Sequence, residues 1–298
     1  MSLDVAVLTD SRLLPPDDRD WYRRQVHHED GLVLAALQRQ GLLVRRLAWD
    51  DPDMDWAGAR CALFRTTWDY FERLPEFSDW LARAAGQTRL FNEIGLIRWN
   101  LDKHYLAELQ QNAVHTVDTH YIEKGAPQTL RQLLAERGWN DTILKPVVSG
   151  AARHTYRVAP ANAETLECVY AELIQQEAML LQPMQHSVLT QGELSLIVID
   201  GHFSHAIRKT PKSGDFRVQD DHGGQVHPHQ ADAQEIAFAE AAVQAVPFDV
   251  LYARVDVIRD NHGRLAVMEL EMIEPELFFR FRPQAAEELA AALARRLR

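Results

Sequence analysis

Residues 253–273 carry the densest chemistry in this chain. They read Ala253-Arg254-Val255-Asp256-Val257-Ile258-Arg259, a polar turn Asp260-Asn261-His262-Gly263, and a run from Leu265 to Ile273 that contains Glu269 and Glu271. Two alternating runs around such a turn predict a β-hairpin. Pairing Arg259 with Arg264 sets Asp256 opposite Val267 and Arg254 opposite Glu269. Because side chains alternate along a strand, Arg254, Asp256, Val267, Glu269 and Glu271 are expected on one face. Val255, Val257, Met268, Leu270 and Met272 then form an apolar core face. Three carboxylates on one face repel one another unless water or a cation screens them. Mg²⁺ takes hard oxygen ligands, commonly a few carboxylates completed by nucleotide phosphates and water. Arg254 beside them could hold an anion that such ions activate. The same pattern also suits the solvated outer face of an antiparallel sheet, and pattern alone leaves both readings open.

The lysines form a second set of candidates. Of 32 basic residues only five are lysine, namely Lys103, Lys124, Lys145, Lys209 and Lys212. Arginine stands in most places where either cation would serve, as a GC-rich genome favours. The remaining lysines are candidates for sites that want a compact ammonium, such as a nucleotide phosphate, though chance survival explains them equally well.

These residues need elements to position them. Val5–Thr9, Leu43–Ala48 and Ala62–Arg65 read as strands, and Gly31–Gln40 and Glu76–Ala85 as helices. Alternating strands and helices predict a parallel α/β sheet with its site at the strand ends. Arg65 to Tyr70 follows the third strand there, so Arg65 and Trp68 are candidates for substrate contact; a loop whose aromatics cap the core is the alternative. Residues 98–111 read as one connecting helix. A second α/β unit comes next, with strands at Thr116–Ile122, Thr142–Val148, from His154, and Ala178–Leu181, and helices at Thr129–Glu136 and Glu164–Ile174. The remainder is strand-rich (Leu194–Ile199, His202–Arg208, Leu251–Arg259, Leu265–Ile273), with helices at 231–245 and from Pro283 to Leu297. Three units are expected: 1–98, 99–182 and 183–298.

Composition excludes several classes. A net charge of −11 disfavours a sequence-independent grip on nucleic acid or an anionic membrane. Cys61 and Cys168 supply neither a disulfide framework nor metal-ligand spacing. No apolar run approaches the roughly 20 residues of a membrane span, and the N-terminus lacks a signal-peptide layout, so a cytoplasmic protein is expected. His27-His28 and His227-Pro228-His229 read as surface pairs rather than a metal site. Arg153 and His154 could line a phosphate loop.

The hairpin pattern Ala253-Arg254-Val255-Asp256 … Met268-Glu269-Leu270-Glu271 … Pro275 resembles the metal-binding signature of ATP-grasp enzymes. D-alanine–D-alanine ligase, prokaryotic glutathione synthetase and the ribosomal-protein glutamate ligases carry it as Asp, then Glu-x-Asn on the next strand. The resemblance implies an ATP-grasp fold with an N-terminal α/β domain and central and C-terminal subdomains. It implies that Asp256, Glu269 and Glu271 bind Mg²⁺ (Mn²⁺ could substitute) and that Arg254 stabilises the charge developing in the reaction. Glu271 departs from the family's Asn, which adds charge and bears on metal number. By the same resemblance Lys103 and Lys145 contact ATP phosphates, and Val148-Ser149-Gly150-Ala151-Ala152 is the loop over them. Gln182-Pro183-Met184 is similar to the adenine hinge, and Glu193 to the ribose-binding acid. Ser204 to Lys209 with Gly214-Asp215-Phe216-Arg217-Val218-Gln219 and Gly223-Gly224 resembles a glutathione synthetase-like segment, which implies Lys209 at the γ-phosphate and Arg217 at the substrate carboxylate. Thr66 to Tyr70, Arg98 to Leu106 and Glu269-Leu270-Glu271-Met272-Ile273-Glu274-Pro275 are most similar to ligases of the D-cycloserine-forming group.

The resemblance therefore implies an ATP- and Mg²⁺-dependent ligase joining a small carboxylate to an amine through an acyl phosphate, with the amine in the same or another molecule. Such chemistry needs positioning and charge neutralisation rather than a protein nucleophile. A kinase that phosphorylates a hydroxyl and a nucleotide-binding module without turnover remain alternatives. A homodimer is compatible with the family.

Overall fold

The computed structural model describes residues 3–15, 19–218 and 223–298; Gln219 of the glycine-rich segment lies outside them. Three sheets organise the chain. The first is parallel, in the order β2-β1-β3-β4, from β1 (Leu3–Thr9), β2 (Val44–Ala48), β3 (Ala59–Thr66) and β4 (Arg89–Phe91). β1 and β3 are buried on both faces because helices cover the sheet. α1 (Trp21–Arg39) begins ten residues before the expected helix, capped by Asp20, which accepts from Tyr22 N and Arg23 N. Its first turns lack an apolar stripe because their buried face is polar: Glu29 accepts from Phe279 N (2.7 Å), and Asp30 pairs with Arg46 (2.7 Å). α2 (Leu74–Ala85) packs on the same sheet.

The expected 98–111 helix is two helices, α3 (Ile94–Leu101) and α4 (Tyr105–Gln111). The break has a local cause. Asp102 caps His104 N at 2.9 Å, and Lys103 N donates to Val147 O at 3.0 Å, outside any helical ladder. Both helices pack on the C-terminal sheet rather than on the central one.

The central sheet runs β5-β8-β6-β7, from β5 (His120–Ile122), β6 (Thr142–Pro146), β7 (Tyr156–Val158) and β8 (Met179–Pro183), with α5 (Leu130–Arg137) and α6 (Ala163–Gln176) against it. β5 is shorter than expected because the preceding chain is drawn to the third sheet: Thr116 bridges Val267, and Val267 N donates to His115 O at 2.9 Å.

The third sheet is antiparallel, β11-β10-β9-β12-β13, from β9 (Glu193–Ile199), β10 (His202–Thr210), β11 (Gln225–His229), β12 (Tyr252–Arg259) and β13 (Leu265–Glu271). A short helix α7 (Ser187–Gln191) precedes β9, and α8 (Ala233–Gln244) covers one face. The expected surface pair His227-Pro228-His229 lies in β11, an edge strand where proline is tolerated, and His229 Nε2 meets Glu235 at 2.8 Å. The C-terminal helix α9 (Gln284–Arg296) shares one core with α1, β1, β3, β9 and β10. Asn92 completes the join by accepting from Leu251 N (2.7 Å) and donating to Met272 O (2.7 Å).

The β12–β13 hairpin corrects the expected register. Arg259 pairs with Leu265, Val257 with Val267, and after an irregularity Asp256 pairs with Glu269 and Arg254 with Glu271. A bulge inserts one residue and exchanges faces beyond it. Val267 therefore joins Val255, Val257, Leu270 and Met272 in the core, while Met268 lines a cavity instead.

Candidate active site

The corrected register gathers the charged side chains more tightly than alternation alone would. Asp256 lies opposite Glu269 on β13 and opposite Ser195 on β9, and Lys209 lies opposite Glu193 where β10 meets β9. These strands form one wall between two cavities. The larger, about 310 Å³, is lined by Arg12, Tyr22, Trp68, Tyr70, Phe71, Glu274, Glu276 and Phe278. The smaller, about 140 Å³, is lined by Lys145, Gln182, Pro183, Met184, Glu193, Arg217, Asp256 and Met268. Lys103, Ser149, Gly150, Lys209, Arg254, Glu269 and Glu271 line both.

On this wall every cation faces a carboxylate. Arg254 donates to both oxygens of Asp256 (2.9–3.2 Å) and to Glu271. Lys209 meets Glu193 at 2.5 Å and Asp256 at 3.2 Å, and Lys103 meets Glu269 at 2.9 Å. Ser195 Oγ donates to Asp256 at 2.5 Å. Burial alone would raise the Asp256 carboxyl, but Arg254 and Lys209 outweigh it and hold it at about 2. Burial opposes ionisation of Glu269 too, yet Lys103 and Lys145 keep it below the usual carboxylate range. The same burial lowers Lys145. Lys209 stays above its ordinary value because Asp256 and Glu193 overcome its desolvation. Glu271 goes the other way: burial, with repulsion from Glu269 and Asp256, lifts it to about 7 despite Arg254. Glu274 is lifted to about 8 by burial and by the charge of Glu271.

The loop between β6 and β7 closes over the wall. Lys103 Nζ donates to Ser149 O at 2.7 Å, and Arg153 donates to Val148 O and pairs with Glu177. Ala151, Ala152 and His154 adopt left-handed backbone, with φ of 49°, 54° and 49°, conformations that cost an L-residue about 1–2 kcal/mol each. Gly150 rests on Phe71 of the first domain, where a Cβ would lie 2.7 Å from the ring. His154 is exposed and stacks near Tyr156 at 6.5 Å. At the hinge, Met184 N donates to Asp141 O (2.9 Å) and Gln182 Nε2 to Thr119 Oγ1 (2.9 Å).

Two substrate candidates are placed differently from expectation. Trp68 lines the larger cavity and donates from Nε1 to Glu274 O at 2.9 Å. Arg65 lines neither cavity. It is 1% exposed, donates to Pro275 O at 3.2 Å, lies 3.6 Å from Asp30 and covers the Phe279 ring, because β3 turns its side chain inward against the 275–279 segment. Arg217 faces the smaller cavity and pairs with Asp215 at 2.7 Å. Sequence reasoning missed Ser195, although it stands two residues after Glu193 and so on the same face of β9. It also gave no role to Asn100 or Glu274, although both lie within the motifs that carry the family resemblance. Asn100 donates to Leu270 O (2.7 Å) and accepts from Met272 N (2.8 Å), fixing β13 beside the site.

Among the described residues no three His, Cys, Asp or Glu side chains form a ready-made metal cage. Asp256, Glu269 and Glu271 are nonetheless hard oxygen donors facing shared space beside three lysines, and that donor set fits Mg²⁺ completed by phosphate oxygens.

Comparison with known proteins gives this arrangement its class. Residues 108–273 match the family described as prokaryotic glutathione synthetase, ATP-grasp domain, and residues 5–92 match D-cycloserine synthetase DcsG, N-terminal domain. The chain belongs to the ATP-grasp carboxylate–amine ligases, enzymes that use ATP, typically with Mg²⁺, to form an amide. Within them it is 30% identical to the cycloserine biosynthesis protein DcsG of Streptomyces lavendulae over 312 aligned positions, 99% of each chain. The crystal structure of D-cycloserine synthetase DcsG superposes with a TM-score of 0.86 at 29% identity over 99% of both chains. The ATP-grasp ligase PsnB, solved with minimal precursor, Mg and ADP, shares the fold with a TM-score of 0.61 at 17% identity over 98% of both. Among the described residues no helix is long and apolar enough to cross a membrane.

Proposed function

We propose that this enzyme activates the carboxylate of a small amino-acid-like molecule as an acyl phosphate and closes it onto an amine of the same molecule, as the name of its cycloserine-forming relative suggests. The observation that carries this reading is the wall of Lys103, Lys209, Arg254, Asp256, Glu269 and Glu271 between a cavity lined by Lys145 and Gln182 to Met184 and a separate, aromatic-lined cavity. In the smaller cavity Gln182, Pro183 and Met184 would seat the adenine and Glu193 the ribose. Lys103, Lys145 and Lys209 would meet the phosphates beneath Ser149 and Gly150. Asp256, Glu269 and Glu271 would hold Mg²⁺, which neutralises phosphate charge and aligns the γ-phosphate; Mn²⁺, also suited to oxygen donors, is expected to substitute.

ATP phosphates would compete for the lysines, and the carboxylates they release become available to metal, so the paired wall is already close to the charge balance of the loaded site. The substrate carboxylate attacks the γ-phosphate from the larger cavity and ADP leaves. Arg254 stabilises the oxyanion when the amine displaces phosphate, and Arg217 is the candidate second contact to the substrate carboxylate. Loop 149–154 excludes the water that would hydrolyse the acyl phosphate.

The test supplies ATP, Mg²⁺ and amino-acid carboxylates with hydroxylamine. Hydroxamate together with ADP is expected. With acids that carry their own distal amine, phosphate release should proceed without hydroxylamine. A stable phosphorylated product would replace ligation by a kinase reading.

A further inference from the structure

The larger cavity presents five glutamates, and four of them have a cation. Glu72 meets Arg12 at 3.3 Å, Glu269 meets Lys103 at 2.9 Å, Glu271 pairs with Arg254, and Glu276 pairs with Arg280. Glu274 differs. Among the described residues its carboxylate has no ion pair, and the buried Tyr70, whose hydroxyl is neutral, lines the cavity with it and favours its ionised form. Trp68 Nε1 holds the Glu274 carbonyl at 2.9 Å, so the Trp68 and Tyr22 rings, 5.9 Å apart, border the same cavity. Burial without an ion pair leaves Glu274 largely protonated at neutral pH in the free site, so a cation placed beside it would stabilise its ionised form, and the aromatic rings that line the same cavity suit a cation.

We propose that Glu274 is a specificity-determining residue: its carboxylate receives an ammonium group of the substrate that takes no part in the acylation, so the enzyme prefers 2-amino acids to the matching 2-hydroxy acids. The substrate end of this inference rests on the ligase reading, with the acid bound in the larger cavity. The ammonium supplies the missing counter-charge, Trp68 and Tyr22 cover its apolar flank, and Tyr70 orients the carboxylate from behind. Arg254, which also lines this cavity, remains for the substrate's carboxylate end.

Binding and turnover separate the two ideas. With Mg²⁺ and a non-hydrolysable ATP analogue present, calorimetry would compare D- and L-alanine and D- and L-serine with D- and L-lactate and glycerate. The wild type is expected to bind at least one amino acid tenfold or more tightly than its hydroxy partner. Glu274→Gln should erase that ratio, and Glu274→Asp should restore part of it. The affinity for the ATP analogue, read on the same samples, reports whether the variants are folded. Equal binding of amino and hydroxy acids, no binding of either, or a preference that Glu274→Gln leaves intact would each overturn the inference. If the preference holds and hydroxylamine yields no hydroxamate with ADP, the ligase reading fails and this one survives.

Discussion

Replacing Asp256 by Asn tests whether mutual neutralisation holds the wall together. The substitution keeps the shape and removes one charge. Asp256 is 3% exposed and is contacted by Arg254, Lys209 and Ser195. Its carboxyl sits at about 2 rather than 3.8, a difference that corresponds to about 2 kcal/mol of stability. Removing one member of a buried pair also strands its partners, at about 3–5 kcal/mol. Here Glu271 stays on Arg254 and Glu193 stays on Lys209, so the low end applies, about 3 kcal/mol at pH 7. The folded pKa lies below the unfolded one. The Asp256 contribution is therefore complete above pH 3.8 and is lost as pH falls through about 2. Urea unfolding of wild type and Asp256→Asn at pH 7 and pH 3 measures both quantities. The gap should be wide at pH 7 and narrower at pH 3, and adding Lys209→Met should cost less in the variant than in the wild type. Equal urea midpoints at pH 7, or a gap that does not change with pH, would refute the reasoning.

Three other outcomes are expected from the geometry. Lys145→Ala, which removes a half-buried ammonium from the smaller cavity, should raise KM for ATP about tenfold or more, read as ADP release. Gly150→Ala places a Cβ 2.7 Å from the Phe71 ring, so kcat should fall about tenfold with little change in stability, and adding Phe71→Ala should restore much of it. Arg65→Met should lower unfolding stability by about 3 kcal/mol because Asp30 loses a buried counter-charge, while KM for ATP moves far less; an opposite pattern would return Arg65 to the substrate.

Much of the site was legible before the fold. Arg254 and Asp256 are two residues apart on one strand, as are Glu269 and Glu271 on the next, a spacing that puts each pair on one face of its strand; the register and its bulge bring the two pairs onto the same face. Lys103, Lys145 and Lys209 stand out by residue type in a chain that otherwise uses arginine. The parallel first sheet and the late antiparallel strands are readable from hydrophobic period and turn residues.

Other features were decided by contacts distant in sequence. The start of α1 was hidden because Glu29 and Asp30 face inward to residues some 250 positions away or on β2 and β3, and period analysis sees only apolar stripes. The break at Asp102 depends on Val147 accepting from Lys103 N. The bulge that sends Met268 to the cavity and Val267 to the core arises where 115–117 docks on Val267. Arg65 illustrates the limit most clearly. A charged residue at a strand end reads as ligand-facing, but only the packing of 275–279 against β3 determines that its partner is Asp30. The sequence determined which charges exist and which share a strand face, because local backbone geometry sets that. Which carboxylate meets which cation, and which one is left for a ligand, was decided by tertiary packing, because electrostatic pairing depends on distances that local pattern does not contain.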